Sequence, residues 1–477
     1  MPVSPSYWYA PWVAKHARSD SPPTPLAPPP AAGAARAEKP PRLRLTELTL
    51  LVLAWIVTGA FYALAYLGAQ GRMPPGYISF LVGMVVVSLG MHLVVARLAP
   101  RASQVLLPIA TLLNGIGYVE IARWDPPLAR QQSLWYLVSA VALTVVLMVI
   151  RRVRDLDRYR YLTLFGGLLL LAAPMVPKVG TSVNGARLWI YLGRFSFEPV
   201  EFAKILLVIF FASYFAANRD LLTTPTQRLG PWRIIAPKVL VPILAAWGLS
   251  VTILGAENDL GFAILIFALF IALLWVTTGL KSYVALGLGL LVGGALIADR
   301  LFPQVQGRVS EWLDPWSSVN LAHSTQLAYG WFSIAAGGVV GTGLGLGHSG
   351  TIPFVTSDMI FAALAEELGL IGVIVIVALF AALVGEGFHI AQRAPSDFVR
   401  LAAGGLTALL GLQTIVIIAG ILRLLPFTGI TLPFMAYGGN ALIANYVVLA
   451  LLIRISDEVA VERRGGEVLI VHHIPGD

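Results

Sequence analysis

The sequence predicts an all-α, polytopic integral membrane protein, and three observations predict it. Of the 477 residues, 57% are hydrophobic and only 12% charged, about half the charged share of an ordinary soluble domain. Apolar runs of about 20 residues, enough to cross the hydrocarbon core as helices, recur along most of the chain. The basic residues fall between those runs rather than on one face. Membrane topology explains that pattern better than nucleic-acid binding does, despite a formal net charge of +8. With no cysteine, disulfides, thiol catalysis and cysteine metal sites are excluded.

Residues 1–44 are rich in Pro and Ala, include Pro28-Pro29-Pro30, and read as a disordered cytoplasmic tail. The first apolar run begins near Leu48, too late for a cleaved signal peptide, so it is expected to remain as an anchor. Twelve candidate spans start near residues 47, 77, 104, 134, 160, 200, 239, 261, 282, 359, 398 and 430. With the N-terminus cytoplasmic, about 23 Lys and Arg fall inside, many of them within 151–160 and 219–238, against about 10 elsewhere. Two outer segments are long enough to suggest function, 178–199 and 301–357. The second contains the glycine-rich stretch 337–347, expected to pack as a re-entrant structure beside an outward-opening cavity. Residues 457–477 read as a polar, cytoplasmic C-terminal tail.

Candidate chemistry concentrates in the outer segments. Arg187, Trp189 and Lys204 suit a phosphate or pyrophosphate headgroup at interface depth, or equally an interfacial Trp belt with snorkelling cations. Lys204 lies about one turn inside an apolar helix, where an ionisable residue suggests function; Glu201, three residues earlier, offers self-neutralisation instead. Asp259 reads first as a helix N-cap. Asp358 ends the long loop and opens an apolar helix, so burial would raise its pKa toward a general base's range, unless it too is only a cap. Glu366 and Glu367 sit about 12 Å further along that helix and read as structural, with a proton path as the alternative. Arg308, Asp314, Gln326 and Arg423 read singly as solvated loop residues. His323 and His348 lack partners at metal-ligand spacing, and Gly341 to Gly345 lacks the Gly-Lys-Ser/Thr ending of a nucleotide loop.

In this order, 184–190, 197–204, 258–261, Gln326 with 337–345, 357–369 and 428–440 resemble the SEDS family of bacterial membrane proteins (shape, elongation, division and sporulation). The resemblance covers about residues 104–456 and rests on six blocks in register. It implies a ten-helix core at 100–456, carrying the large extracellular loop 301–357. The two helices at 45–99 are then an N-terminal addition of the kind found in actinobacterial-type members. It further implies a peptidoglycan glycosyltransferase that polymerises lipid II outside the cytoplasmic membrane during elongation or division, beside a class B penicillin-binding protein. Asp358 takes the place of the family's catalytic aspartate, and Arg187, Trp189, Lys204, Glu201, Asp259 and Gln326 are the candidate substrate-binding residues. No residue is assigned to a metal; a divalent cation, Mg2+ or Mn2+, is compatible with the reaction. The chain departs from the family at Glu198, Val200, Glu257-Asn258, Arg423 and Asn440.

Inverting glycosyl transfer is the expected reaction, with Asp358 accepting a sugar hydroxyl proton and Arg187 and Lys204 holding the departing pyrophosphate. A lipid II flippase or other transporter is the main rival, though no two matching halves are visible. A non-catalytic scaffold is the third reading.

Overall fold

The computed structural model describes residues 44–471, apart from 178, 184–185, 194, 224–226, 230–231 and 235–236. The expected tail at 1–44 therefore lies, except for Arg44, outside the described residues. All twelve apolar runs are helices. They are α1 (Leu45–Gln70), α2 (Tyr77–Leu98), α3 (Leu106–Trp124), α4 (Pro126–Val149), α5 (Arg160–Ala172) and α6 (Val200–Ala217). After a short α7 (Arg219–Thr223) come α8 (Pro237–Ala256), α9 (Leu260–Thr278) and α10 (Lys281–Leu301). Three loop helices follow, α11 (Pro303–Leu313), α12 (Ser318–His323) and α13 (Gln326–Gly337), before α14 (Ile360–Arg393), α15 (Asp397–Ile421) and α16 (Gly439–Val471). Among the described residues nine of these are long and apolar enough to span a membrane; α3, α5 and α8 fall short of that standard.

Two boundaries differ from the sequence expectation. Helix α4 begins at Pro126, about eight residues early, because Asp125 caps it by accepting from the Leu128 amide at 2.9 Å and prolines fill its first turn. Helix α16 begins at Gly439, about nine residues after the start of its apolar run, because 422–438 is irregular loop. The helix then continues through 457–471, where a polar tail was expected.

Segment 178–199 is not plain loop. It carries an antiparallel sheet of β1 (Gly180–Val183), β2 (Ala186–Leu192) and β3 (Phe195–Phe197), with Thr181 opposite Trp189 and Ile190 opposite Phe197. A second hairpin pairs β4 (Gln227–Leu229) with β5 (Trp232–Ile234).

The packing is that of a bundle in lipid. Helices α6 and α16 are buried on most sides, whereas α10 leaves Leu286, Leu288, Leu290, Val292, Leu296 and Ile297 exposed. Such a face tolerates hydrocarbon and not water. At the end where α2 and α4 finish, Arg454 of α16 donates to the carbonyls of Ile150 at 2.9 Å and Leu98 at 2.6 Å and to that of Leu147, satisfying helix C-termini that would otherwise be bare. At the same end Arg44 pairs with Glu47 at 2.5 Å and donates to Ala99, Ala102 and Ser103. The opposite end holds α11 to α13, the β1–β3 sheet and the loop before α14.

Candidate active site

Loop 427–431 organises the polar end. Arg308 of α11 donates to the carbonyls of Thr428 at 2.8 Å and Phe427 at 3.4 Å. Gln413 of α15 donates to that of Thr431 at 2.9 Å. Helix α9 packs so closely that a Cβ at Gly261 would lie 2.7 Å from Ile430. At Gly429, φ is +70°, and a Cβ there would lie 3.7 Å from Asp358 Oδ2 and 4.0 Å from the Arg308 guanidinium. Arg308 and Asp358 therefore flank one loop residue without forming a direct ion pair.

Asp358 does not cap α14. The cap position is Met359, with no side-chain bond, so the capping alternative fails on geometry. Its segment is held by the Tyr437 amide, which donates to the Thr356 carbonyl at 2.8 Å, and the Ser357 hydroxyl lies 3.3 Å from Asp358 Oδ1. Burial pushes the Asp358 carboxyl up to about 6, against Gln326, Ser357 and Arg308, which favour its charged form. Gln326 faces that carboxyl, yet its Nε2 has no partner within hydrogen-bonding distance. A base of this pKa is mostly ionised at neutral pH and still a usable proton acceptor.

Asp259 does cap α9, accepting from the Phe262 amide at 3.1 Å with Oδ1. Its other oxygen is buried without a partner. Burial raises this carboxyl too, to about 6, opposed by the Phe262 amide, Arg308 and Lys204. Glu257 is pushed up to about 8 by burial and by the charge of Asp259. Burial, with Glu201 and Asp259 adding to it, holds Glu198 well above the usual carboxyl range.

Lys204 is where the structure departs most from expectation. It is 0% exposed, paired with Glu201 at 2.5 Å, bonded to Gln413 Oε1 at 3.0 Å and set over the Phe262 ring. The self-neutralising pair therefore describes it, and it is not presented to a headgroup. The expected open cavity is, at this end of α6, a sealed polar core.

Arg187 and Trp189 lie on β2. The Arg187 amide donates to the Glu257 carbonyl at 3.1 Å, and its guanidinium reaches the carbonyls of Gly180 at 3.3 Å and Val176 at 3.4 Å. The sheet is thus tied to the α8–α9 turn beside Asp259, and Asn440 anchors its far strand through the Ser196 carbonyl at 3.0 Å. No contact joins Arg187 to Asp358 or Lys204 among the described residues. Lys178, Asn184 and Gly185 lie outside the described residues.

Glu366 and Glu367 are clamps. Helix α14 breaks at Gly369, where φ is +63°, a conformation that favours glycine. The break frees the carbonyls of Glu366 and Glu367, which accept from the amides of Thr342 at 2.9 Å and Gly343 at 3.1 Å. Their side chains hold the same glycine-rich loop. Glu366 accepts from the His348 amide at 2.7 Å and from Ser349, while Glu367 accepts from the Gly345 amide at 3.1 Å and pairs with Arg123. The glycine-rich loop is thus packed against the helix break, and Glu366 and Glu367 are both engaged in holding it. Arg423 is structural as well, donating to Trp312 and Leu313 carbonyls at the end of α11.

Sequence reading missed Arg308 and Glu198 as site residues, and Gln413 entirely. A cation six residues before Asp314-Pro315 carried no local signal of its long-range partners. Among the described residues no group of three or more His, Asp or Glu side chains is arranged to hold a metal ion.

The cell cycle protein family FTSW_RODA_SPOVE matches residues 120–460. The chain is 38% identical over 427 residues to the peptidoglycan glycosyltransferase RodA of Mycobacterium tuberculosis, covering 87% of this chain and 91% of that one. It is 32% identical over 331 residues to a probable peptidoglycan glycosyltransferase FtsW of Geobacter, covering 69% and 86%. Among solved structures, a chain from a study of how a peptidoglycan synthase complex coordinates polymerization and crosslinking matches with a TM-score of 0.62 at 28% identity, covering 75% of this chain and 98% of that one. The rod shape determining protein RodA of Thermus thermophilus matches with a TM-score of 0.53 at 26% identity, covering 74% and 96%.

Proposed function

The chain belongs to the SEDS family of FtsW, RodA and SpoVE, and from that membership we propose that it is a peptidoglycan glycosyltransferase polymerising lipid II during elongation or division. The observation that carries the catalytic assignment is the placement of Asp358: a carboxyl raised to about 6 by burial, beside Gln326 and across Gly429 from Arg308.

In this reading the Asp358 carboxylate takes the proton from the acceptor's GlcNAc 4-hydroxyl. The freed oxygen bonds to C1 of the lipid-linked donor from the face opposite the leaving group, and the C1–O bond breaks toward undecaprenyl pyrophosphate, which departs with the electron pair. Arg308 and Arg187 supply positive charge for that anion. Lys204, sealed against Glu201 and Gln413, sets the position of α6 rather than touching phosphate. Glu201 and Asp259 shape the floor of the site, and Trp189 stands on the sheet at its edge. A divalent cation, Mg2+ or Mn2+, is compatible with the reaction, and among the described residues no three side chains are grouped to hold it.

The basic residues clustered around the ends of α2, α4 and α16 support cytoplasmic N- and C-termini, which place Asp358 on the outer face. The likeness to a member of a polymerising and crosslinking complex supports a class B penicillin-binding protein as partner. The test is direct. Purified protein, with its cognate penicillin-binding protein, is given labelled lipid II and the glycan products are sized. Polymer from wild type and none from Asp358→Asn is expected; equal polymer from both overturns the assignment of Asp358.

A further inference from the structure

The family match begins at residue 120, so α1 and α2 lie ahead of it, yet α1 touches the loop that braces the Asp358 helix. Near its C-terminal end, Gly68 packs so tightly on the glycine-rich loop that a Cβ there would overlap the Leu344 carbonyl oxygen. In return the Cα of Gly345, at φ +79°, sits in the groove of α1, where a Cβ would overlap the Ala65 carbonyl and lie 2.7 Å from the Ala69 amide. Two helix turns and a loop thus meet backbone to backbone, which only glycine permits. The contact is fixed from the side by the Tyr66 hydroxyl, which donates to the Ala122 carbonyl of α3 at 3.1 Å.

From Gly345 the connection to the site is short. Its amide donates to Glu367, which also pairs with Arg123 of α3. Glu366 and Glu367 belong to the half-helix 360–368, cut from the rest of α14 by the break at Gly369. That half-helix is about 13 Å long, and Asp358 precedes it by two residues. The half-helix is buried along its sides, and at its lower end, where the helix is interrupted, it is held by the glycine-rich loop, which rests on α1.

We propose that Gly68 and Gly345 form a seat through which the added helix α1 positions the Asp358 half-helix, making both glycines positioning residues for glycosyl transfer. The inference rests on the role proposed for Asp358. Misplacement of a reacting group by about 1 Å costs up to about 100-fold in rate, so an unseated loop should reduce turnover and leave binding of the lipid-linked substrate nearly intact.

The test uses the full chain with its partner. Gly68→Ala, Gly68→Val and Gly345→Ala are compared with Leu53→Ala, a control on the exposed face of α1. Rates are normalised to folded, monodisperse protein. Because the chain has no cysteine, spin labels at the exposed positions Leu64→Cys on α1 and Val340→Cys on the loop report the distance between them. The expected result is a kcat lowered about 10-fold or more in the glycine variants, graded with side-chain size, with KM changed less than about twofold and a displaced or broadened label distance. Leu53→Ala should match wild type. A folded Gly68→Val with normal kcat overturns the proposal, as does failure of all three variants to fold, which assigns the seat to folding alone. If Asp358→Asn polymerises normally while the label distance still shifts in Gly68→Val, the catalytic reading has failed and the mechanical coupling stands.

Discussion

Replacing Arg308 with Gln removes a positive charge that both Asp259 and Asp358 feel, while leaving a side chain able to donate to loop 427–431. The Arg308 guanidinium and Asp358 Oδ2 stand 4.0 Å and 3.7 Å from one point at Gly429, so they lie within about 8 Å of each other. Arg308 ranks below Gln326 and Ser357 among the groups that favour the charged form, which fits an attraction on the order of 1 kcal/mol, or about 0.7 pKa units, at an effective dielectric of about 40. The Asp358 carboxyl, at about 6 in the wild type, would move up by about that much in Arg308→Gln. Because the base must be ionised, the acid limb of the rate profile should move up with it. At pH 6.5 the ionised fraction falls from about three quarters to about two fifths, so kcat/KM should drop about twofold, and at pH 8.5 the two proteins should nearly agree. Polymerisation rates across pH 5.5 to 9 measure this. Arg308→Lys, which keeps the charge, should retain the wild-type limb. A loss equal at all pH values would refute the electrostatic argument and leave Arg308 as a loop anchor or phosphate contact.

Asp358→Asn should be inactive but more resistant to thermal unfolding than wild type at pH 8. A carboxyl raised above its unfolded value of 3.8 is costly to ionise in the fold, so the gap should begin to close as pH falls through about 6 and vanish near pH 4. Glu367→Ala removes one ion-pair partner of Arg123, which keeps its bond to the Gly347 carbonyl, and should cost about 1.5–3 kcal/mol in denaturant unfolding; a neutral result would reopen the proton-path reading. Lys204→Met should destabilise by about 3–5 kcal/mol by leaving Glu201 buried and unpaired, while adding Glu201→Gln should recover most of the loss in a double-mutant cycle.

Reading the sequence worked where the physics is local. A span of apolar residues has few alternatives to a helix, so every candidate run became one, nine of them long and apolar enough to cross a membrane among the described residues. The pairing of Glu201 with Lys204 follows from their three-residue spacing, and the cap at Asp259 from its position before an apolar run. Other features depend on partners far along the chain. Lys204 also bonds Gln413, and Arg308 is held by carbonyls at 427 and 428, so neither environment has a local signature. The break at Gly369 is hidden inside a 34-residue helix of apolar composition. The strands at 180–197 have an alternation too short, and too interrupted by turn residues, to stand out from loop in the sequence.

The charge balance of the site bears on how it could accept an anionic substrate at all. Five carboxyl groups, Glu198, Glu201, Glu257, Asp259 and Asp358, stand against Lys204 and Arg308, which would repel a pyrophosphate if all were ionised. Burial changes that count. Glu257, at about 8, is mainly neutral at pH 7, and burial pushes Glu198 in the same direction. Lys204 and Glu201 cancel each other at 2.5 Å. Beside Glu198, what remains is Arg308 facing Asp259 and Asp358, an excess of about one negative charge, with Arg187 on the sheet nearby. In the proposed reaction Asp358 takes up a proton as the acceptor hydroxyl is activated, which removes that excess at the moment negative charge grows on the departing pyrophosphate. A base that had stayed fully exposed, with its ordinary low pKa, would hold that proton less well and keep its repulsion. Burial of Asp358 therefore serves acceptor and leaving group together.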